Sequence, residues 1–410
     1  MTSEAATSEA VAAYDKPPEE SFGRRIWEDF KGGNLGSLPV ILGLTIIVIV
    51  FGFTATNFFT AVNFNNIIVQ MAGTTMLAFG VVFVLLLGEI DLSIAYLSGL
   101  GGIIAAELQK PDSGHHYNAL WPIVGALVIV TLIGAFQGSF VALIGVPSFV
   151  VTLAGLLAWQ GVNQVTLGAG GPIIIENRWI NYTANYFLSR TAGWIVAAIL
   201  IGLYWASVGL GVLSKRRLGV AIRDPWLIAA KLIGVSFLTI LVVAICNHDR
   251  GVPLAGLEMI FFLVFLTYVT KRTTFGRHVY AVGGNAEAAR RAGISVPRIR
   301  IIVFAISGFM AGVGGVILAG NLNSVAPDQG GGTLLLDAIS AAVIGGTSLF
   351  GGRGEVRSAV LGAAVIATIE NGLFIFGFQP GVIYITTGSI LLAAVTLDTI
   401  ARRRQAKTGR

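Results

Sequence analysis

The sequence predicts an all-α, polytopic helical membrane protein, and three observations carry that expectation. Of its 410 residues 55% are hydrophobic and only 12% charged, well under the roughly 25% charge of an ordinary soluble domain. Apolar runs near the roughly 20 residues that cross a bilayer as a helix recur from residue 38 to residue 398. The cations, which leave the chain at a formal charge of +6, cluster on alternate connections between those runs. Such bias is expected where one side of a membrane retains Lys and Arg, so the basic balance reads as topology and not as a nucleic-acid surface.

Taken in order, residues 1–37 open with Glu4, Glu9, Asp15, Glu19 and Glu20 and no apolar core. This is the pattern of a disordered cytosolic tail, not of a cleavable secretory signal. Candidate spans follow at 38–56, 67–88, 92–108, 121–145, 149–168, 193–213, 231–246, 254–270, 301–320, 335–349, 358–376 and 382–398. The run at 335–349 is short for a full crossing, which makes it tilted, broken or re-entrant. Runs 92–108 and 231–246 are also short, giving about ten to twelve crossings. With all twelve crossing and a cytosolic N-terminus, the inner connections hold Lys215, Arg216, Arg217, Arg223, Arg353 and Arg357, the segment 271–300, and a basic cytosolic tail at 399–410. The outer connections hold only Lys110, Arg178, Arg190 and Arg250.

Glycine is abundant at 53 residues, and Gly308, Gly312, Gly315 and Ala319 stand at small-residue spacings that let helices approach closely in lipid. None of the lysines follows a glycine, so no phosphate-cradling GxxxxGK[ST] loop is present. The single cysteine, Cys246, lies in an apolar run and reads as a small core residue. His115 and His116 are adjacent, a spacing that does not make a metal site.

The stretch GRHVYAVGGNAEAARRAGISVP at 276–297 is a polar island in the most basic segment. From Lys271 to Arg300 it carries Lys271, Arg272, Arg277, Arg290, Arg291, Arg298 and Arg300 against one acid, Glu287. Asn285 reads as an N-cap, Glu287 sits in the first turn where the helix dipole favours an anion, and Arg290 and Arg291 lie near the other end. Gly293 suits the left-handed position after the helix, and Pro297 is expected to prevent its resumption. On charge alone the segment fits a surface helix on anionic headgroups or a docking element for a partner.

Carboxylates and amides within apolar runs are functional candidates because burying them is costly. Glu89, Asp91 and Ser93 lie in GEIDLS between two spans, Asp91 reading best as a cap of the next helix. Gln160, Asn163 and Gln164 follow PSFVVTLAG on one span. Asp337, Glu370 and Asn371 lie in later ones. An ion-coupled transporter working alone would need several such acids along one path with basic partners, and the spans offer few cations.

The residues GRHVYAVGGNAEAARRAGISVPRIR, the IDLS signature at 90–93, PSFVVTLAG at 147–155 and AAVIGGTSLFGGRGEVRSAVLGA at 341–363 together resemble the permeases of bacterial ABC-type monosaccharide importers, in the ribose and xylose branch. The resemblance spans about residues 60 to 400 and is dense from 271 to 363. Glu89 stands where the ribose-type pattern has glycine, and Ala95-Tyr96 where it has Gly-Ser; the acid and the NHDRGVP loop at 247–253 look like the xylose branch. The resemblance implies that the chain catalyses no bond change and holds no cofactor, ATP and Mg being bound by a separate ABC ATPase subunit. It implies contact with that ATPase through Gly283, Gly284, Asn285, Glu287, Arg290, Arg291 and Gly293. It also implies a periplasmic sugar-binding protein, a second permease copy as a homodimer, and the bacterial inner membrane, with D-xylose as the first substrate to test. Glu89, Asp91, Ser93, Gln160, Asn163, Asp337, Glu370 and Asn371 are the pathway candidates.

Overall fold

A computed structural model describes residues 38–110, 120–219 and 225–407. The N-terminal tail, the histidine pair at 115–116 and Arg223 lie outside these residues. Eight of the described helices are long and apolar enough to cross a membrane, and four shorter apolar helices accompany them. They are α1 (Leu38–Thr54), α2 (Ala61–Leu86), α3 (Ile94–Leu108), α4 (Leu120–Ser139), α5 (Ser148–Leu167), α7 (Arg190–Arg217), α8 (Pro225–His248), α9 (Leu254–Arg272), α12 (Val296–Leu322), α13 (Leu334–Ile344), α14 (Val356–Ile375) and α15 (Pro380–Lys407). Each expected run is therefore a helix. Between them lie α6 (Arg178–Asn185), α10 (Thr274–Gly284) and α11 (Ala286–Arg291), with a two-residue antiparallel pairing of β1 (Ile173–Ile174) and β2 (Ser324–Val325).

Several boundaries moved, each for a local reason. At 11 residues, α13 rises only about 16 Å, short of the roughly 30 Å hydrocarbon thickness, as its length foretold. α4 ends in a π-turn over Phe140–Ile144, closed by Gly145 at φ 83°. α8 starts at Pro225, six residues ahead of the expected start at 231, because Trp226, Leu227 and Ile228 extend the apolar run beyond Lys231. α15 runs on through the basic stretch to Lys407, so the first part of the basic tail continues the helix. Pro297 is corrected outright. It occupies the first turn of α12, where a missing N–H costs nothing, and so opens a helix that it was expected to prevent.

α12 and α2 form the centre. In their most apolar 18-residue stretches α2 buries 78% of residues and α12 67%, against 6% for each of α7 and α8, so the rest of the described chain covers little of the α7–α8 hairpin. The centre is closed by glycine. A Cβ at Gly308 would come within 2.4 Å of the Val130 carbonyl oxygen on α4, and one at Gly315 within 1.9 Å of the Ser98 carbonyl oxygen on α3. Gly134 and Gly101 accept α12 in the same way, so the small-residue faces serve packing within the chain. Such approach supplies the dispersion contacts that hold helices together where no hydrophobic force acts between them. Cys246 is fully buried beside Ala197, Val243 and Val252.

Candidate functional site

The polar connections gather at two opposite ends of the bundle. At one end α10 and α11 pack against the C-terminal end of α2 and the 345–355 turn. Asn285 closes α10 and caps α11, accepting the Ala288 N–H at 2.9 Å, so the expected single capped helix is the second of two. Gly293 takes φ 84°, the left-handed value its position called for. Glu287 pairs with Arg290 at 2.9 Å and Arg291 at 3.2 Å within the helix. All three are exposed, so these pairs add little stability and leave a charged face open to a partner.

The inner side of this element has no slack. A Cβ on Gly283 would lie 1.7 Å from the Leu86 carbonyl oxygen and 2.9 Å from the Gly352 nitrogen. That oxygen accepts the Gly352 N–H at 2.9 Å, and Gly351 and Gly352 hold φ of 85° and 72°, which glycine alone adopts without strain. The Tyr280 hydroxyl donates to the Gly354 carbonyl at 2.7 Å. Lys271 reaches Glu355 at 2.9 Å, and Arg357 closes on its second oxygen. The two stretches that resemble the sugar permeases most closely, 271–300 and 341–363, thus meet each other and the end of α2.

The 87–93 turn is tied into the same end. Arg300, near the start of α12, pairs with Glu89 at 2.9 Å, with side chains 29% and 13% exposed. Glu89 therefore has a cationic partner from the same basic segment. Ser93 and not Asp91 stands at the cap of α3; Asp91 lies two residues ahead and accepts the Ser93 N–H at 3.0 Å, the Ser93 hydroxyl at 2.7 Å and the Ser307 hydroxyl of α12 at 2.7 Å. Ile90 donates its N–H to Ser148 at the head of α5, and Thr152 donates to the Ile90 carbonyl. Further along, Asn163 donates to the carbonyls of Tyr96 and Gln329, both at 3.2 Å, while Gln160 is half-buried with no bond to this cluster. Asp337 and Glu370 form a separate pair, their carboxyls within hydrogen-bonding reach across α13 and α14, with Asn371 buried beside Glu370. The pathway candidates thus do not form one cluster: Asp91 and Ser93 bond each other, Asp337 and Glu370 lie apart from them, and Gln160 and Asn163 join neither.

Three participants escaped the sequence reading: Ser307, Gln137 (whose Oε1 lies 3.2 Å from the Ser93 hydroxyl) and Tyr280. Gln137 had a signal in its sequence, an amide in an apolar run flanked by Gly134 and Gly138.

A family model described as the permease component of the branched-chain amino acid transport system matches residues 63–395. The chain belongs to this permease family. The permease is 36% identical to the xylose transport system permease protein XylH of Escherichia coli K12, over 91% of this chain and 94% of the relative. It is 33% identical to the XylH protein of Haemophilus influenzae, over 91% and 99%, and 31% identical to the ribose import permease protein RbsC of Escherichia coli K12, over 87% and 92%. No solved structure matches the permease.

Proposed function

We propose that the permease is the membrane subunit of an ATP-driven importer for a monosaccharide, with D-xylose as its substrate. One observation supports the mechanism above others: the exposed α10–α11 element rests, without room for a side chain, on the end of α2 and continues into α12. Those are the two central helices. A push on α11 reaches α2 through Gly283 and Gly352, and reaches the 87–93 turn through Arg300 and Glu89. An ATPase subunit that binds ATP and Mg and closes beneath this face would then tilt the core as one piece, with both termini cytosolic and a second permease copy opposite. A periplasmic binding protein would deliver sugar at the far end. The nucleotide supplies differential contacts to two states of the permease, and no chemistry takes place on this chain.

The sugar assignment is supported by the relatives named for xylose and ribose, while the family's description names branched-chain amino acids. Reconstitution in proteoliposomes with the ATPase and binding protein separates these. ATP hydrolysis and uptake should rise with D-xylose and not with L-leucine. Uptake by the permease alone, driven by an ion gradient and abolished by an ionophore, would end the proposal.

A further inference from the structure

Between α12 and α13 the chain crosses the bundle without a complete helix. Val325, in β2, pairs with Ile173 at the end of the bundle opposite α10 and α11. Further on, Gly330 packs against the Ala95 carbonyl of α3, and the Gln329 carbonyl fills the place a side chain would need at Gly99. Those α3 residues stand level with the middle of the 27-residue α12, since Ser307 reaches Asp91 just ahead of α3 and Gly315 meets the Ser98 carbonyl. α13 carries the chain the rest of the way, to Gly345, which packs on the Ser358 carbonyl at the start of α14. Loop 326–333 and α13 are therefore one crossing, half irregular and half helix.

Irregular backbone at this depth is tolerated only where protein or water satisfies it, and here protein does so in part. Gln329 donates its N–H to the Ala326 carbonyl and Gly331 to that of Asp328. Among the described residues the N–H groups of Gly330, Gly332 and Thr333 have no partner. Gly332 is exposed, and so is Asp328, with which no cation pairs among the described residues. Hydrocarbon can satisfy neither free N–H groups nor a charged side chain, so this edge of the crossing faces water.

The neighbouring elements continue the polar edge. Asn163 of α5 is fully buried and donates to the Gln329 and Tyr96 carbonyls, while its own oxygen has no partner. Gln164, the next residue, is exposed. A Cβ at Gly331 would lie 3.3 Å from the Tyr96 hydroxyl, and one at Gly332 3.6 Å from the Tyr384 hydroxyl of α15, so two phenols flank the loop. The set combines backbone donors, amides, phenols and one carboxyl, and it holds no cation. Hydroxyl groups both donate and accept, so a neutral polyhydroxyl ligand finds partners for both roles here, whereas an anion meets a carboxyl and no counter-charge.

We propose that loop 326–333 lines the passage of the permease midway across the membrane, where Asp328 accepts hydrogen bonds from the hydroxyls of the passing monosaccharide. The open side of the passage is closed by the same face of a second permease copy. The proposal rests on the import reading above, and it moves the sugar-contacting role away from the buried Asp337 and Glu370.

The test uses the full permease with its ATPase in nanodiscs and a charged methanethiosulfonate as the probe. Wild type sets the background, its one cysteine being buried. Asp328→Cys should be labelled about tenfold faster than Leu203→Cys, exposed in the middle of α7, because a charged reagent travels through water and not through hydrocarbon. The Asp328→Cys rate should also differ between the nucleotide-free and vanadate-trapped states. In liposomes with binding protein, Asp328→Asn should take up D-xylose about tenfold more slowly at low sugar, the weight of a charged over a neutral hydrogen bond, and Asp328→Glu should recover most of the loss. Labelling of Asp328→Cys as slow as that of Leu203→Cys, or wild-type uptake by Asp328→Asn, overturns the proposal. Fast labelling that is identical in both nucleotide states overturns it too, by placing the loop on an open surface. Failure of the import reading would show separately, as no stimulation of wild-type ATP hydrolysis by any loaded binding protein, and the comparison of the two cysteines would still decide whether the loop meets water.

Discussion

Replacing Gly283 by alanine tests whether α10 bears directly on the core. The new methyl group would sit 1.7 Å from the Leu86 carbonyl oxygen, where ordinary contact begins at 3.4 Å. Both sides of the contact are backbone, so no side chain can swing away, and α10 must retreat by about 1.7 Å to restore that contact. Overpacking of this kind costs about 1–3 kcal/mol, and opening the Gly352–Leu86 hydrogen bond adds about 0.5–1.5 kcal/mol. Gly284 is the control, since nothing lies within 4 Å of a Cβ built there. The assay is sugar taken up per ATP hydrolysed in reconstituted vesicles, alongside a thermal melt in detergent. Gly283→Ala should lower both the melt and the uptake-to-hydrolysis ratio, and Gly284→Ala should leave the melt unchanged. Equal ratios and melts in Gly283→Ala and the wild type would refute the claim that this contact carries force.

Other perturbations follow from the same geometry. Glu89→Gln and Arg300→Gln should each destabilise the permease, and the double variant should lose less than their sum, with a coupling of about 1–3 kcal/mol in a double-mutant cycle by denaturant or heat. Asp91→Ala strands the Ser93 and Ser307 hydroxyls and should cost about 1–3 kcal/mol, with Asp91→Asn recovering part of it in the same melt. For Glu355, burial pulls the carboxyl upward, but hydrogen bonds from Lys271 and Arg357 outweigh it and leave the pKa below 4.5. A depressed folded pKa gives stability that is present above the unfolded value and lost as pH falls through the folded one. Melts should therefore decline below about pH 4.5, and Glu355→Gln should flatten that acid limb. Gly293→Ala meets no neighbour but must hold φ 84°, a conformational cost of about 1 kcal/mol visible in the melt and not in packing-sensitive probes.

Much of the fold was legible because a lipid-embedded helix announces itself through length and hydropathy, and α1 to α5, α7 to α9 and α12 to α15 did so. The Asn285 cap and the Gly293 terminator are local chemistry and were equally readable. What escaped depends on partners far along the chain. Nothing near Ser307 announces that Asp91, more than two hundred residues earlier, will take its hydroxyl proton into a hydrogen bond. The short α6 is too brief and too polar to register as a span, and β1 pairs with β2 across about 150 residues. Pro297 was misread because the same fixed φ ends one helix and begins another, and only the position of the next hydrogen-bonded turn distinguishes them. Nothing in GEIDLS announces that Glu89 will pair with Arg300, more than two hundred residues later.

The α7–α8 hairpin is covered only sparingly by its own bundle. Its helices have 28 and 24 residues, about 42 and 36 Å, longer than the roughly 30 Å they must traverse. Both are long enough to cross with some tilt, and few contacts with the rest of the described chain hold that tilt fixed. Bilayers made from acyl chains of different lengths should re-angle this hairpin while leaving the glycine-packed centre alone.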